Sequence, residues 1–412
     1  MKNGGGLHLI FLYADSPSEW NCSQWRALSP SDAINAEHAA GNTAMTAQLY
    51  LLPSALVWDH PTVQRSLGAG DILIFQRNVL VEPVWAAIDY WRALGKTIIV
   101  DLDDHYPGLM PSNPAFPYWI LNKQGITPDP IEGLTIGLRK AHVLTSPSRI
   151  ILEDWSHVVP GLHLPNWTRR AWYADLEQKP PNGIDYIFSH DDEGNLFAHP
   201  REGSEGQIII GWGGSISHVD SWLYSGVIPA LDRIFADFPQ VRLKFCGYEK
   251  RLAEVLGRWG DRVIAQPGVM PQYWPKVVST FDIGVAPLDP RPLDPWREGA
   301  PIVSYDDRRS WLKAAEYLTA GVPWVASKSE TYKEVAHLGT VADATADAWY
   351  SALAYFVRNL TAAKADAWKR RKWSLKRMTL EGNITRYGQT MDNAVAMAQI
   401  AAGARLPGVL YT

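Results

Sequence analysis

One stretch of this sequence sets a base, an acid and a helix stop at spacings that can serve a phosphate-bearing ligand. It reads Arg309-Ser310-Trp311-Leu312-Lys313-Ala314-Ala315-Glu316-Tyr317-Leu318-Thr319-Ala320-Gly321-Val322-Pro323. Lys313 and Glu316 stand three residues apart, so on a helix they share a face. Lysine is a mobile point charge suited to a diphosphate, and a carboxylate can accept hydrogen bonds from both hydroxyls of a ribose. Arg309 and Ser310 lie one turn earlier, where a helix N-terminus gathers backbone donors for phosphate. Gly321 stops the helix and a strand follows at once. The same spacing also describes an amphipathic helix with a surface Lys–Glu pair, and spacing by itself leaves both readings open.

A second group is rich in carboxylates: Asp101, Asp103 and Asp104, followed by His105. It ends an apolar run, Thr97–Asp101, that reads as a parallel strand, and α/β sheets bind ligands at the C-terminal ends of their strands. Asp104 and His105 are candidates for orienting or deprotonating an acceptor hydroxyl, since histidine titrates in the useful range. An ordinary loop histidine fits equally well. No metal is expected, because the carboxylates lack a convincing ligand set.

Gly213-Gly214-Ser215, with His218 just beyond, forms a third candidate. Glycine lets the chain pass close to a phosphate or sugar, and it equally permits a tight strand-to-helix turn without a ligand. Within the loop Ser16–Arg26, the residues Asn21, Ser23, Gln24 and Arg26 can contact a ligand or cap the next helix. Finally, Lys369-Arg370-Arg371-Lys372 with Lys376 and Arg377 is a basic, Trp-flanked helical run. It fits an anionic membrane surface, a phosphorylated acceptor or nucleic acid; a solvated helix face fits it as well.

The elements that must position these groups alternate between strand and helix. In the first half, Leu7–Tyr13, Gln48–Leu52, Asp71–Phe75, Thr97–Asp101 and Ala141–Ser146 read as strands, with helices over Ser31–Ala40 and Pro83–Leu94. Between about Trp172 and Gly206 the pattern fails in polar, turn-rich sequence. A second alternation starts at Ile208 and runs to Ser327: one helix over Trp222–Phe238, another over Ser310–Ala320, and strands near Arg242–Cys246, Arg262–Ala265, Asp282–Ala286 and Pro323–Ser327. This predicts an α/β protein of two doubly wound, Rossmann-like domains facing a cleft. The expected boundaries are an N-terminal acceptor-side domain over 1–180, a linker over 181–206, a ligand-binding domain over 207–345 and a helical tail over 346–412.

Bulk composition agrees with that class. A chain of 412 residues exceeds what one hydrophobic core usually supports. Its 46% hydrophobic and 20% charged residues argue against a disordered or fibrous chain. The net charge of −4 gives no global case for a polyanionic partner. Cys22 and Cys246 are too far apart in sequence for a metal knuckle and read as reduced thiols. No run approaches the roughly 20 apolar residues of a membrane span. A soluble, cytoplasmic protein is expected. Most of its 19 Trp are expected in packing.

The segment 309–327 resembles the donor-binding motif of the family 4 (group 1) GT-B glycosyltransferases. Arg309-Ser310, Lys313, Glu316-Tyr317, Ala320-Gly321-Val322-Pro323 and Val325-Ala326-Ser327 carry the likeness. Phe281–Leu288, Ile210–His218 and Val241–Gly247 extend it; Val100–Asp104 and Leu164–Trp167 resemble N-terminal features of some members. The resemblance implies a glycosyltransferase taking its sugar from a nucleotide-sugar donor, UDP- or GDP-linked, with no tightly bound cofactor. It implies a retaining, metal-independent enzyme with a glycan or glycolipid acceptor. Glu316 would bind the ribose, Lys313 would sit near the diphosphate, and the backbone of Thr319, Ala320, Gly321 and Val322 would approach it. Gly213, Gly214, Ser215, His218, Arg309 and Ser310 would complete the donor site. Arg308 stands eight residues before Glu316, where the family often carries a second glutamate, and the segment Asp289–Asp307 is longer than usual. A phage-type DNA glycosyltransferase acting on hydroxymethylated bases, a non-catalytic nucleotide-sugar-binding protein and a sugar-nucleotide epimerase remain as alternatives.

Overall fold

The structure, a computed structural model, describes residues 6–15, 21–181, 183–214, 216–247, 250–293 and 304–403. The chain divides into two compact units. The first comprises Met1–Pro107, Pro117–Arg169 and Leu380–Thr412, the second Gly108–Phe116 and Arg170–Thr379.

The first unit is built on six parallel strands: β1 (His8–Tyr13), β2 (Thr46–Leu51), β3 (Ile72–Gln76), β4 (Thr97–Asp101), β5 (Val143–Ser146) and β6 (Gly161–His163), in the order β2-β1-β3-β4-β5-β6. Every residue of β3, β4 and β5 is buried. Such continuous apolar runs belong to parallel sheets covered on both faces. The helix Glu82–Ala93 turns Val84, Ala87, Ile88 and Trp91 inward, as its periodicity predicts. The first helix differs from expectation. A π-helical turn over Gln24–Leu28 runs straight into an α-helix over Ser29–Ala39, so Ser31 lies inside the helix and caps nothing. The π turn carries Arg26 to a buried partner on β4, which a helix starting at Ser31 would leave out.

In the second unit, β9 (Ile208–Gly213), β10 (Val241–Cys246), β11 (Val263–Gln266), β12 (Ile283–Ala286), β13 (Trp324–Ser327) and β14 (Thr340–Ala342) pair in parallel in the order β11-β10-β9-β12-β13-β14. A hairpin of β7 (Tyr186–His190) and β8 (Leu196–Pro200) is pinned to β11 by Gln266, whose amide bonds both the N–H and the carbonyl of Phe188. The segment expected as a linker, 181–206, therefore belongs to the second unit. The helix expected over Trp222–Phe238 is two, Val219–Tyr224 and Val227–Asp237, because Gly226 adopts φ +85° between them. That left-handed backbone is one glycine reaches without strain.

The C-terminal helices divide between the units. Ala346–Arg358 and Leu360–Arg377 belong to the second, Ile384–Ala401 to the first. Lys364 and Lys179 both donate to Asp282, and Lys244 donates to Asp185; all five side chains are buried. These pairs fasten the entry and exit segments of the second unit to its sheet. Tryptophan is mostly packing: Trp91, Trp167, Trp212, Trp222, Trp324 and Trp349 are among the largest fully buried side chains. Among the described residues no helix is long and apolar enough to cross a membrane.

Candidate functional site

The strand order of the second unit reverses direction between β9 and β12, both of which pair with each other, and open α/β sheets bind ligands at the strand C-termini beside such a point. Strand β9 ends in Gly213, and Gly214 follows. A Cβ on Gly213 would lie 2.0 Å from the Trp274 ring, and one on Gly214 would lie 3.1 Å from the Lys313 ammonium. Packing thus requires these glycines, and it brings two polar side chains to the turn.

The helix Leu312–Ala320 delivers Lys313 and Glu316 to the same place. Its C-terminus is closed by Gly321 at φ +73°. Lys313 donates to the Gly213 carbonyl and lies 5.2 Å above the Trp212 ring. Glu316 is 5% exposed, and the Trp274 indole N–H is bonded to its carboxyl. Among the described residues neither Lys313 nor Glu316 makes an ion pair. Burial pushes the Glu316 carboxyl up to about 7, against the opposing pull of Lys313 and Trp274. Burial brings the Lys313 ammonium down to about 8, helped by Arg309. Two ionisable groups one helical turn apart, desolvated and lacking strong partners, are an arrangement that a charged, hydroxylated ligand can complete.

The other expected residues fall into three classes. His218 lies beside Trp212, at 6.0 Å between ring centroids; its Nδ1 is buried without a hydrogen-bond partner, and burial with the nearby Arg309 and Lys313 holds it neutral. Arg309 sits at the mouth of the same helix, but its Nε donates to Asp306 (2.9 Å) and its second amino group to the Ser217 carbonyl (3.1 Å). Ser310 lies two residues before the helix and is partly buried. Ser215 lies outside the described residues, as does most of the long segment after Asp289.

The backbone from Thr319 to Val322 does not offer donors to a phosphate. Gly321 N–H bonds to Leu318 and Tyr317 carbonyls, Val322 N–H to Tyr317, and the Thr319 hydroxyl to Ala315. The Thr319 carbonyl is taken by Arg371, and Ala320 is buried in the same turn. This is the carbonyl end of the helix, which these four residues close.

Two contributors, Trp274 and Tyr173, are not visible in the sequence. Trp274 touches both Gly213 and Glu316. Buried Tyr173 lies near Glu316, and burial followed by that carboxyl raises its phenol well above its ordinary range. Near the position eight residues before Glu316, buried Asp306 accepts from Ser221, from the Asp289 N–H and from Arg309, while Arg308 turns to the Ser304 carbonyl. Asp306 lines a small polar cavity with Ser217, Asp220, Ser221, Asp289 and Arg291.

In the first unit, Asp101 is buried and fully engaged: Arg26 donates to it twice (2.8 and 2.6 Å) and Thr145 once (2.6 Å). Asp103 accepts from the Tyr106 hydroxyl at 2.9 Å. Asp104 is partly buried beside it. His105 is buried with Nδ1 3.0 Å from Asp154, a close approach that does not form a hydrogen bond. Arg77, which the sequence did not single out, bonds Asp15 and holds φ +40°, a rare backbone for a non-glycine residue. Ser23 bonds Gln76 and Asp15, and Arg26 is spent on Asp101, Leu164 and Asn166, so these residues of the early loop are structural.

Comparison with solved structures decides the architecture. The chain superimposes on a sucrose-phosphate synthase from Thermosynechococcus elongatus with a TM-score of 0.57 at 13% identity, covering 95% of this chain and 99% of that one. An α,α-trehalose-phosphate synthase (UDP-forming) from Burkholderia vietnamiensis gives 0.53 at 12% identity, covering 98% and 100%. The chain has the GT-B fold. No family model matches the sequence, and neither does any curated protein. Within the GT-B frame, the Lys313–Glu316 helix and the Gly213-Gly214 turn belong to the C-terminal Rossmann-like domain, at the ends of its strands.

Proposed function

We propose that the second unit binds a nucleotide-sugar donor and that the protein transfers its sugar to an acceptor hydroxyl. The observation that carries this reading is the buried Lys313–Glu316 couple, which makes no ion pair among the described residues. Glu316 accepts the two ribose hydroxyls, held by the Trp274 N–H on its other side. Lys313, above the glycine turn, meets the diphosphate and neutralises it as it leaves, a fixed charge aimed where negative charge develops. In the first unit, His105, beside Asp154 and just beyond the end of β4, takes the acceptor proton.

Thermal stabilisation by UDP- and GDP-sugars tests the donor half. A ligand at a hundred times its dissociation constant raises stability by about 2.7 kcal/mol. Wild type is expected to be stabilised by one nucleotide family, and Glu316→Ala by none. His105→Asn is expected to keep the donor shift and lose transfer. Absence of any shift at millimolar donor, or an equal shift in Glu316→Ala, overturns the assignment.

A further inference from the structure

The fold sorts the basic run into two faces of the helix Leu360–Arg377. Arg370 and Arg371 turn inward. Arg370 donates to the Leu338 carbonyl and pairs with Asp366, while Arg371 donates to the carbonyls of Thr319, Tyr173 and Ala174. The same inner face buries Lys364, Ala367 and Ser374. The outer face carries Lys369, Lys372, Trp373, Lys376 and Arg377, all exposed. Their spacing of three, four, seven and eight residues from Lys369 makes one continuous stripe. Among the described residues, Lys369, Lys372 and Lys376 have no ion-pair partner. Trp373, in the middle of the stripe, is 42% exposed, in a protein that otherwise buries most of its largest indoles.

We propose that this stripe is a docking face for an anionic lipid bilayer. A straight row of cations on a convex helix fits a planar charged surface, and it offers no concave track for a polymer backbone. An indole flanked by lysines has the form that membrane interfaces favour: the ring enters the headgroup layer while the ammonium groups stay at the phosphates. Each lysine or arginine near such a surface strengthens binding about fivefold. The contact is therefore salt-sensitive and reversible, and it needs no spanning segment. Arg370 and Arg371 contribute nothing directly, since they hold the helix to its own unit.

The full chain is sedimented with vesicles of phosphatidylcholine alone and with vesicles that also contain phosphatidylglycerol. Binding is expected only to the anionic vesicles, weakening with salt. The triple variant Lys369→Glu/Lys372→Glu/Lys376→Glu is expected to lower binding by more than about a hundredfold at low salt. Trp373→Ala is expected to lower it about tenfold while leaving the salt dependence unchanged. All of these positions are exposed, and unchanged thermal unfolding confirms that the variants fold. Failure to bind anionic vesicles at low salt overturns the proposal. Equal binding by the triple variant overturns it too, by placing the contact elsewhere. Tight binding of duplex DNA through the same residues without vesicle binding assigns the stripe to nucleic acid instead.

Discussion

The two units each bury a charged cluster near the C-terminal ends of their strands, and they treat it in opposite ways. On β4, Asp101 is desolvated together with Arg26, and every oxygen is used: a forked guanidinium and the Thr145 hydroxyl converge on it. On the helix Leu312–Ala320, Glu316 and Lys313 are desolvated without a salt bridge, each bonded to one neutral partner. The first arrangement is complete as folded. The second is incomplete and has its titrations displaced toward neutrality. Burial alone thus fails to mark a functional charge; burial without a matching counter-charge marks one.

The largest effect that would break this comparison is at Arg26. Removing one member of a buried, hydrogen-bonded pair leaves the other uncompensated and costs about 3–5 kcal/mol. Arg26→Ala is expected to lose that much in denaturant unfolding, with donor binding by the remaining folded protein unchanged. A loss near zero would mean that Asp101 is rehydrated easily, and the contrast between the clusters would collapse.

Glu316→Gln should act with the opposite sign. The Glu316 carboxyl titrates at about 7 in the folded protein, against an ordinary 4.5. A raised carboxyl binds its proton more tightly when folded, so its contribution is favourable below about 4.5 and is lost as pH rises through 7. At pH 8 the full cost is present, about 3 kcal/mol for a shift of this size. The glutamine variant is therefore expected to be more stable than wild type at pH 8, equal to it near pH 4.5, and unable to bind donor. Lys313, lowered to about 8, sets the other limb. Donor affinity of the wild type should peak between about 7 and 8, falling below as Glu316 protonates and above as Lys313 loses its charge. A stability difference that does not change with pH would show that Glu316 is already solvated.

What the sequence makes legible follows from the range of each interaction. The apolar runs of β3, β4 and β12 are read directly, because a doubly covered strand is apolar on both faces along most of its length. Lys313 and Glu316 are read together, because they are three residues apart on one helix. Trp274 is not, since it reaches Glu316 from 42 residues away and its type suggests packing first. The pairing of Arg26 with Asp101 is hidden for the same reason: the two lie 75 residues apart, and the π turn that aims Arg26 has no periodicity of its own. The basic run reads as one motif, although only its outward half is exposed; a helical wheel separates the faces but does not say which one the fold covers. The division of the last helices between two units leaves no local signal at all.

The smallest expected effect is the sharpest probe of how the donor site is held. Gly213 has β-strand neighbours and needs no special backbone, yet a Cβ there would meet the Trp274 ring at 2.0 Å. Gly213→Ala must push the indole aside, at a cost of about 1–3 kcal/mol for an overpacked position. Displacing the ring also takes its N–H from Glu316, which is one of the two influences holding that carboxyl down. The variant is therefore expected to raise the lower limb of the donor-affinity profile above 7 while leaving the upper limb, set by Lys313, in place. A pure packing role for Trp274 would lower stability and leave the profile where it was. The two outcomes separate a residue that fills space beside the acid from one that tunes it.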